Sequence, residues 1–291
     1  MSKSESTKVH ANITFVGNTP FQICSRMGAC CHGHQGSICP WELAVLAQGM
    51  KLGVRELRDR YTAAHGTRLI FDGTPYPHGP DSHTGKKSCR FYAAGVGCTV
   101  HAHRPLACRL YPLGRDRNDG AIRYFYLGKR LSCFELCPNI AEMPLITPDD
   151  YIKDQHINEP AAAHDAYATL ACGMIAAAAT IAKQSPYLDH PQLKTHYRQL
   201  CDLTQAERAS QLSPIWLDRL TLPNLNIDLL SPTEFVSAHG QALAAAIVAD
   251  FSKATDEAAG LTQAAHLYLS LALHLGESVG LAPADMTQFL E

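Results

Sequence analysis

Residues 24–39 read CSRMGACCHGHQGSIC. Four cysteines, Cys24, Cys30, Cys31 and Cys39, share this stretch with Gly28, Gly33 and Gly36, and no helical or strand period runs through it. Glycine gives the backbone access to positive φ, so the composition suits a tight loop that aims several thiols inward. Further along, residues 89–113 read CRFYAAGVGCTVHAHRPLACRLYPL and carry Cys89, Cys98 and Cys108. Cys133 and Cys137 follow, so nine of the eleven cysteines fall between residues 24 and 137. The chain is organised around what those thiols hold.

The redox setting decides how to read them. The N-terminus, MSKSESTKVHAN, has neither an apolar core nor a small-residue cleavage site, which is not the pattern of a secretory signal. The uncharged window from Ala166 to Ala182 is mostly alanine. It is short for a membrane span and reads as a buried helix. These features predict a cytoplasmic protein without a membrane association, in which thiols stay reduced. Clustered cysteines then point to metal or to catalysis rather than to disulfides. An odd total of eleven also leaves no complete pairing.

Charge divides the chain. Residues 1–130 carry 18 Lys+Arg against 8 Asp+Glu, a balance of +10; residues 131–291 carry 7 against 19, a balance of −12. Composition divides it too. Before residue 147 the pattern is of short elements: a helix from Pro40 through Gln48, a second from Val54 to Ala64 ending at Gly66, and a strand near 69–71. A long Gly/Pro/His loop over 72–88 and irregular strands through 89–113 follow, and then a strand at 121–127. Thr147-Pro148-Asp149-Asp150 is a helix start, with a capping hydroxyl, proline at the first position and acids in the first turn. Beyond it, residues 161–182 hold 11 alanines in 22. Further helices are expected at 189–210, 231–252, 256–276 and 283–290, with a capping box at Ser231–Glu234. The predicted fold class is α+β, mostly α. A cysteine-rich, metal-stapled domain with short strands and helices occupies residues 1–146, and an Ala-rich bundle of about five helices occupies residues 147–291.

Thiolate is a strong ligand, and zinc and iron–sulfur clusters are both held by sets of four. The candidate metal ligands are Cys24, Cys30, Cys31, Cys39, Cys89, Cys98, Cys108, Cys133 and Cys137. Short spacings within each group bring thiols together at little entropic cost. Arg26, Arg90, Arg104 and Arg109 flank the groups, where guanidinium charge would offset a thiolate site. Neighbouring side chains of an extended chain point to opposite sides. Adjacent Cys30 and Cys31 would on that basis serve two sites, or two atoms of one cluster, rather than a single zinc ion. His32, His34, His101 and His103 lie within the cysteine segments and are further candidates; His78 and His83 flank a Pro-Gly loop that would suit a lid. Cys172 and Cys201 read as small core residues.

The stretches CSRMGACC, CRFYAAGVGCTVHAHRPLACRLYPL and CPN together resemble the YkgJ-type cysteine-cluster (CxxCxxCC) family of zinc- or iron-chelating proteins, over about residues 22–140. The resemblance implies Cys24, Cys30, Cys31, Cys89, Cys98, Cys108 and Cys137 as ligands, with Arg104 and Pro105 at the family's Arg-Pro. One position departs from the family: its second cysteine is Met27 here. Cys39 and Cys133 lie at no motif position, and either thiol is available in its place; the alternative is an open site.

No dinucleotide fingerprint, Walker loop, nucleophile elbow or HExxH helix is present. Arg115, Arg117, Arg123, Lys129 and Arg130, interleaved with Tyr124, Phe125 and Tyr126, would suit phosphate and base contacts. The outer face of a strand explains them as well, and nucleic acid is not an expected partner. Three functions compete. The first is a metal-cluster protein holding iron–sulfur, or zinc, for a redox, sensing or site-organising role. The second is an S-adenosylmethionine-dependent protein lysine methylase-like enzyme, by analogy with flagellin lysine N-methylases that resemble this cysteine pattern. The third is a structural zinc protein whose helical half takes a protein partner. No catalytic or organic-cofactor residue is assigned.

Overall fold

A computed structural model describes residues 19–22, 28–33, 36–63, 65–75, 85–118, 121–126, 142–184, 188–252, 254 and 256–290. The fold is α+β and mostly helical, and every sheet is a two-stranded pair. The chain forms two interleaved compact units. One comprises residues 1–35 and 71–158, the other residues 36–70 and 159–291.

The cysteine-bearing unit is built from short antiparallel pairs. Phe71–Pro75 pairs with Lys87–Cys89, so two ends of the expected 72–88 loop are strand. Tyr92–Ala93 pairs with Gly97–Cys98 through a turn in which Gly95 and Gly97 have positive φ. Leu113–Asn118 pairs with Ala121–Tyr126 in the longest hairpin. The second of these strands was legible from its aromatic and β-branched residues. The first, LGRDRN, has too few apolar residues to announce itself. Arg115 stands opposite Tyr124, and Asp116 opposite Arg123, so much of the basic charge lies along a strand pair. Phe21–Gln22 pairs with Leu145–Ile146, and the Phe21 ring packs on Tyr126 and Tyr151. Thr147 caps Pro148–Asp154 by accepting the Asp150 N–H, as its sequence predicts.

The other unit is helical. Its described α-helices are Pro40–Met50, Val54–Tyr61, Asn158–Gln184 (from residue 159 on), His190–Asp202, Gln205–Gln211, Pro214–Thr221, Pro232–Phe251 and Glu257–Ser278. Together with Pro148–Asp154, the described residues from 147 on form seven α-helices rather than about five. The expected 189–210 helix breaks where Thr204 caps a new one with Glu207, and Ser213-Pro214 starts another. Val54–Tyr61 stops short of Gly66 because Thr62 turns extended and pairs with Leu69. Ser231 and Glu234 form the predicted capping box.

Residues 36–70 join this unit through their apolar face and their charge. Trp41 lies in one continuous core with Tyr167, Met174, Ile175, Leu193, Tyr197, Trp216, Phe235, Leu243 and Leu269. Arg55 and Arg58 both bond Asp218, and Arg58 also bonds Thr221. Asn158–Gln184 is long and apolar enough to cross a membrane by length and composition. Its Ala163, Tyr167, Ala171, Met174, Ile175 and Ala178 nevertheless belong to the core of the unit.

Candidate metal centre

Five of the predicted cysteine ligands lie in the described part of the first unit, on a 3-10 turn, two strand ends and a short helix. Cys30 and Cys31 sit on the 3-10 turn Ala29–Cys31, closed by the Cys31 N–H donating to the Gly28 carbonyl at 2.9 Å. Gly28 is needed there twice over. Its φ is +83°, and a Cβ would stand 2.6 Å from the Tyr92 ring. Cys89 ends its strand opposite Phe71, Cys98 ends a hairpin opposite Tyr92, and Cys108 rides the Leu106–Leu110 helix that Pro105 begins.

These thiols share one electrostatic neighbourhood. Burial raises Cys108 most, and the charges of Cys89, Cys31 and Cys98 raise it further. Burial likewise pushes Cys89 up to about 12, with Cys31, Cys98 and Asp72 adding to the rise. Cys98 is raised by burial and by Cys31. Cys31 moves the other way. A hydrogen bond from Cys30 lowers it most, against the effect of burial, and Arg104 lowers it further. A thiol raised by burial and by other thiolates can lose its proton only if positive charge replaces it. A metal ion does that.

Arg104 is the cation that acts here, lowering Cys31, Cys98 and Cys108. It is held in place by donating to the His101 carbonyl at 2.9 Å and to Gln155 Oε1 at 2.7 Å. Two other flanking arginines are occupied elsewhere. Arg90 forms an exposed pair with Asp72. Arg109 clamps the carbonyls of Arg104, Gln155 and Ala102 at 2.7, 3.0 and 2.5 Å. Among the described flanking arginines, Arg104 thus supplies the compensating charge and Arg109 is a backbone clamp.

The premise used for the adjacent pair does not hold. Cys30 and Cys31 lie on a helical turn, not on extended chain, and their side chains hydrogen-bond each other. Neighbouring thiols on such a turn face a common neighbourhood, so their adjacency no longer argues for two metal atoms. His32 is a structural residue. Buried, it donates from Nδ1 to the Gly28 carbonyl at 3.0 Å and stacks edge-on against Tyr92. His101 and His103 form the 3-10 turn between Cys98 and Cys108 and are half-buried. Cys24, Arg26, Met27, His34, His78, His83, Lys129, Arg130, Cys133 and Cys137 lie outside the described residues.

Cys39 belongs to the other unit, where a second group of ligand atoms meets. Among the described residues, Cys39, Glu42 and His164 are the group whose ligand atoms all lie within 4.8 Å of one another. Cys39 precedes the Pro40–Met50 helix, and Glu42 in the first turn reaches back to accept the Cys39 N–H at 3.0 Å. The i, i+3 spacing places both side chains at one helix end. His164 comes from Asn158–Gln184, and its Nε2 lies 2.9 Å from Glu42 Oε2. All three residues are buried. Nothing local in the sequence pairs His164 with Cys39; only the folded core brings them together.

Residues 23–125 match the family model described as “CxxCxxCC: Putative zinc- or iron-chelating domain”. The matched segment spans Cys24 to Cys108 and so contains Cys30, Cys31, Cys89, Cys98 and Cys108. Over that stretch the chain is similar to a cysteine-cluster domain described as zinc- or iron-chelating. No curated protein and no solved structure matches the chain.

Proposed function

We propose that Cys30, Cys31, Cys89, Cys98 and Cys108 hold metal as thiolates, and that the metal is an iron–sulfur cluster serving a redox, sensing or site-organising role in the cytoplasm. The observation that carries this reading is the match of residues 23–125 to a domain described as zinc- or iron-chelating, beside thiols from four separate segments, of which Cys31 raises Cys89, Cys98 and Cys108. Five thiols exceed the four that one tetrahedral zinc or one iron–sulfur cluster takes, which favours more than one metal site. Cys24 and Cys137, also implied by the family resemblance, would add to that excess. Charge does not separate the two metals, because tetrathiolate zinc and a tetrathiolate cluster both keep negative charge for Arg104 to offset.

The experiment is anaerobic purification followed by absorption spectroscopy, iron and zinc analysis and assay of acid-labile sulfide. Brown protein with iron and sulfide in equal amounts is the expected result. A colourless protein with stoichiometric zinc would leave the thiolate site standing and replace its occupant. A chain that carries no metal, and takes none up when iron, sulfide or zinc is supplied anaerobically, would overturn the reading.

A further inference from the structure

Outside the cysteine-bearing unit, the helical core contains one constellation that its apolar packing does not explain. Cys39 is fully buried, and Glu42 and His164 are buried beside it at 3% and 7% exposure. A buried carboxylate needs hydrogen bonds and opposite charge close by. Glu42 accepts the Cys39 N–H and hydrogen-bonds the Cys39 side chain, and His164 Nε2 stands 2.9 Å from it as an ion-pair partner. That His164 nitrogen has no well-aligned hydrogen bond. Thiol, carboxylate and imidazole thus meet inside the core with their ligand atoms within 4.8 Å of one another, as three groups pointing at a common centre do. Tyr167, one turn along from His164, does not fill that centre: its hydroxyl donates to His239 Nδ1 at 2.9 Å.

We propose that Cys39 Sγ, a Glu42 carboxylate oxygen and His164 Nε2 form a second metal site, separate from the cysteine-cluster centre, that takes one zinc ion. One sulfur, one nitrogen and one oxygen donor make a borderline-soft set suited to zinc. Ligand atoms around tetrahedral zinc lie about 3.2–3.8 Å apart, given Zn–S of ~2.3 Å and Zn–N of ~2.0 Å. Atoms already within 4.8 Å of one another need only a small contraction. The ion would add positive charge beside the buried carboxylate and would tie the start of Pro40–Met50 to Asn158–Gln184. Three protein ligands leave a fourth position for water or a small anion.

The test loads the metal-stripped full chain with cadmium-113, a zinc surrogate whose NMR shift reports ligand type. Two resonance classes are expected, one far downfield from an all-thiolate environment and one upfield from a mixed sulfur, nitrogen and oxygen set. Cys39→Ser and, separately, His164→Gln should each abolish the upfield signal and leave the downfield one. Loss of the downfield signal alone would count against the cysteine-cluster centre and leave this site intact. A wild-type spectrum with no mixed-ligand resonance at two or more equivalents of cadmium overturns the proposal, and so does one unchanged in a Cys39→Ser chain that keeps the wild-type circular dichroism. The wild-type arm needs no variant, so the proposal stays testable even if either substitution prevents folding.

Discussion

The two units of this chain bury their side chains in different ways. In the helical unit, Leu193, Phe235, Leu243, Leu269 and Leu273 belong to one continuous apolar core, and Asp189, Thr204, Ser213, Ser231 and Asp256 cap the helices around it. In the cysteine-bearing unit the described strands are two to six residues long. Its described apolar core comes down to a few residues, among them Phe21, Phe91, Val100, Leu106, Leu110 and Tyr151. Two-stranded pairs are marginal by themselves, and a small core rarely stabilises a domain unaided. On the proposed reading, the first unit depends on a bound metal for its shape, whereas the second rests on close apolar packing.

The largest expected effect follows directly. Stripping the metal with a chelator under reducing conditions should remove on the order of 10 kcal/mol from the cysteine-bearing unit. Hydrogen exchange should then show Leu113–Asn118 and Ala121–Tyr126 losing protection while Phe235 and Leu269 keep theirs. Equal loss in both units would break the comparison. Next in size, Phe235→Ala should cost about 3–5 kcal/mol through the cavity it leaves, lowering the unfolding midpoint of the helical unit without changing the metal content.

The pH dependence sharpens the same contrast from the helical side. His239 accepts from Tyr167 at Nδ1 and, at 2.9 Å, donates from Nε2 to the Arg219 carbonyl, so the neutral ring is fully used. Burial lowers it from 6.5 to about 4. The stability it contributes is complete above pH 6.5. It falls as the pH drops from 6.5 to 4, where the unfolded chain takes the proton first, and it is gone below that. The loss is ~3 kcal/mol. His266 and His274 are lowered to about 4 as well, so the quantity to compare is the acid slope of wild type against His239→Gln. The slope should be shallower in the variant, and identical slopes would contradict the assignment. The smallest effect belongs to the metal side. Arg104→Gln should weaken metal retention about ten-fold, the lower end for residues that support ligands, measured by competition with a chelator and with the helical unit's unfolding midpoint unmoved.

Much of this was readable in advance, and the gaps have physical causes. The thiol groups, the helix starts at Thr147-Pro148 and Ser231–Glu234, and the strand over Ala121–Tyr126 all follow from local chemistry that tertiary structure leaves alone. What local chemistry hid was long-range. Trp41 and Val45 look like part of any apolar helix, and only the folded core shows that they pack with residues beyond 159. Charge pointed to two units but not to their interleaving, because Arg55 and Arg58 pair with Asp218. Cys39 read as one more thiol of the cluster segment, whereas its partners are Glu42 and His164. The Cys30–Cys31 geometry was misjudged for a local reason: the Gly28 turn makes the backbone helical where extended chain was assumed.

The central claim is that thiolates from separate segments of the first unit bind metal. Metal-edge X-ray absorption on the anaerobically isolated Cys39→Ser chain tests it most directly, because that variant removes the mixed site proposed for the helical core. The account predicts a first shell of sulfur at about 2.3 Å. A first shell of oxygen and nitrogen alone, or a folded chain with no metal to measure, would contradict it.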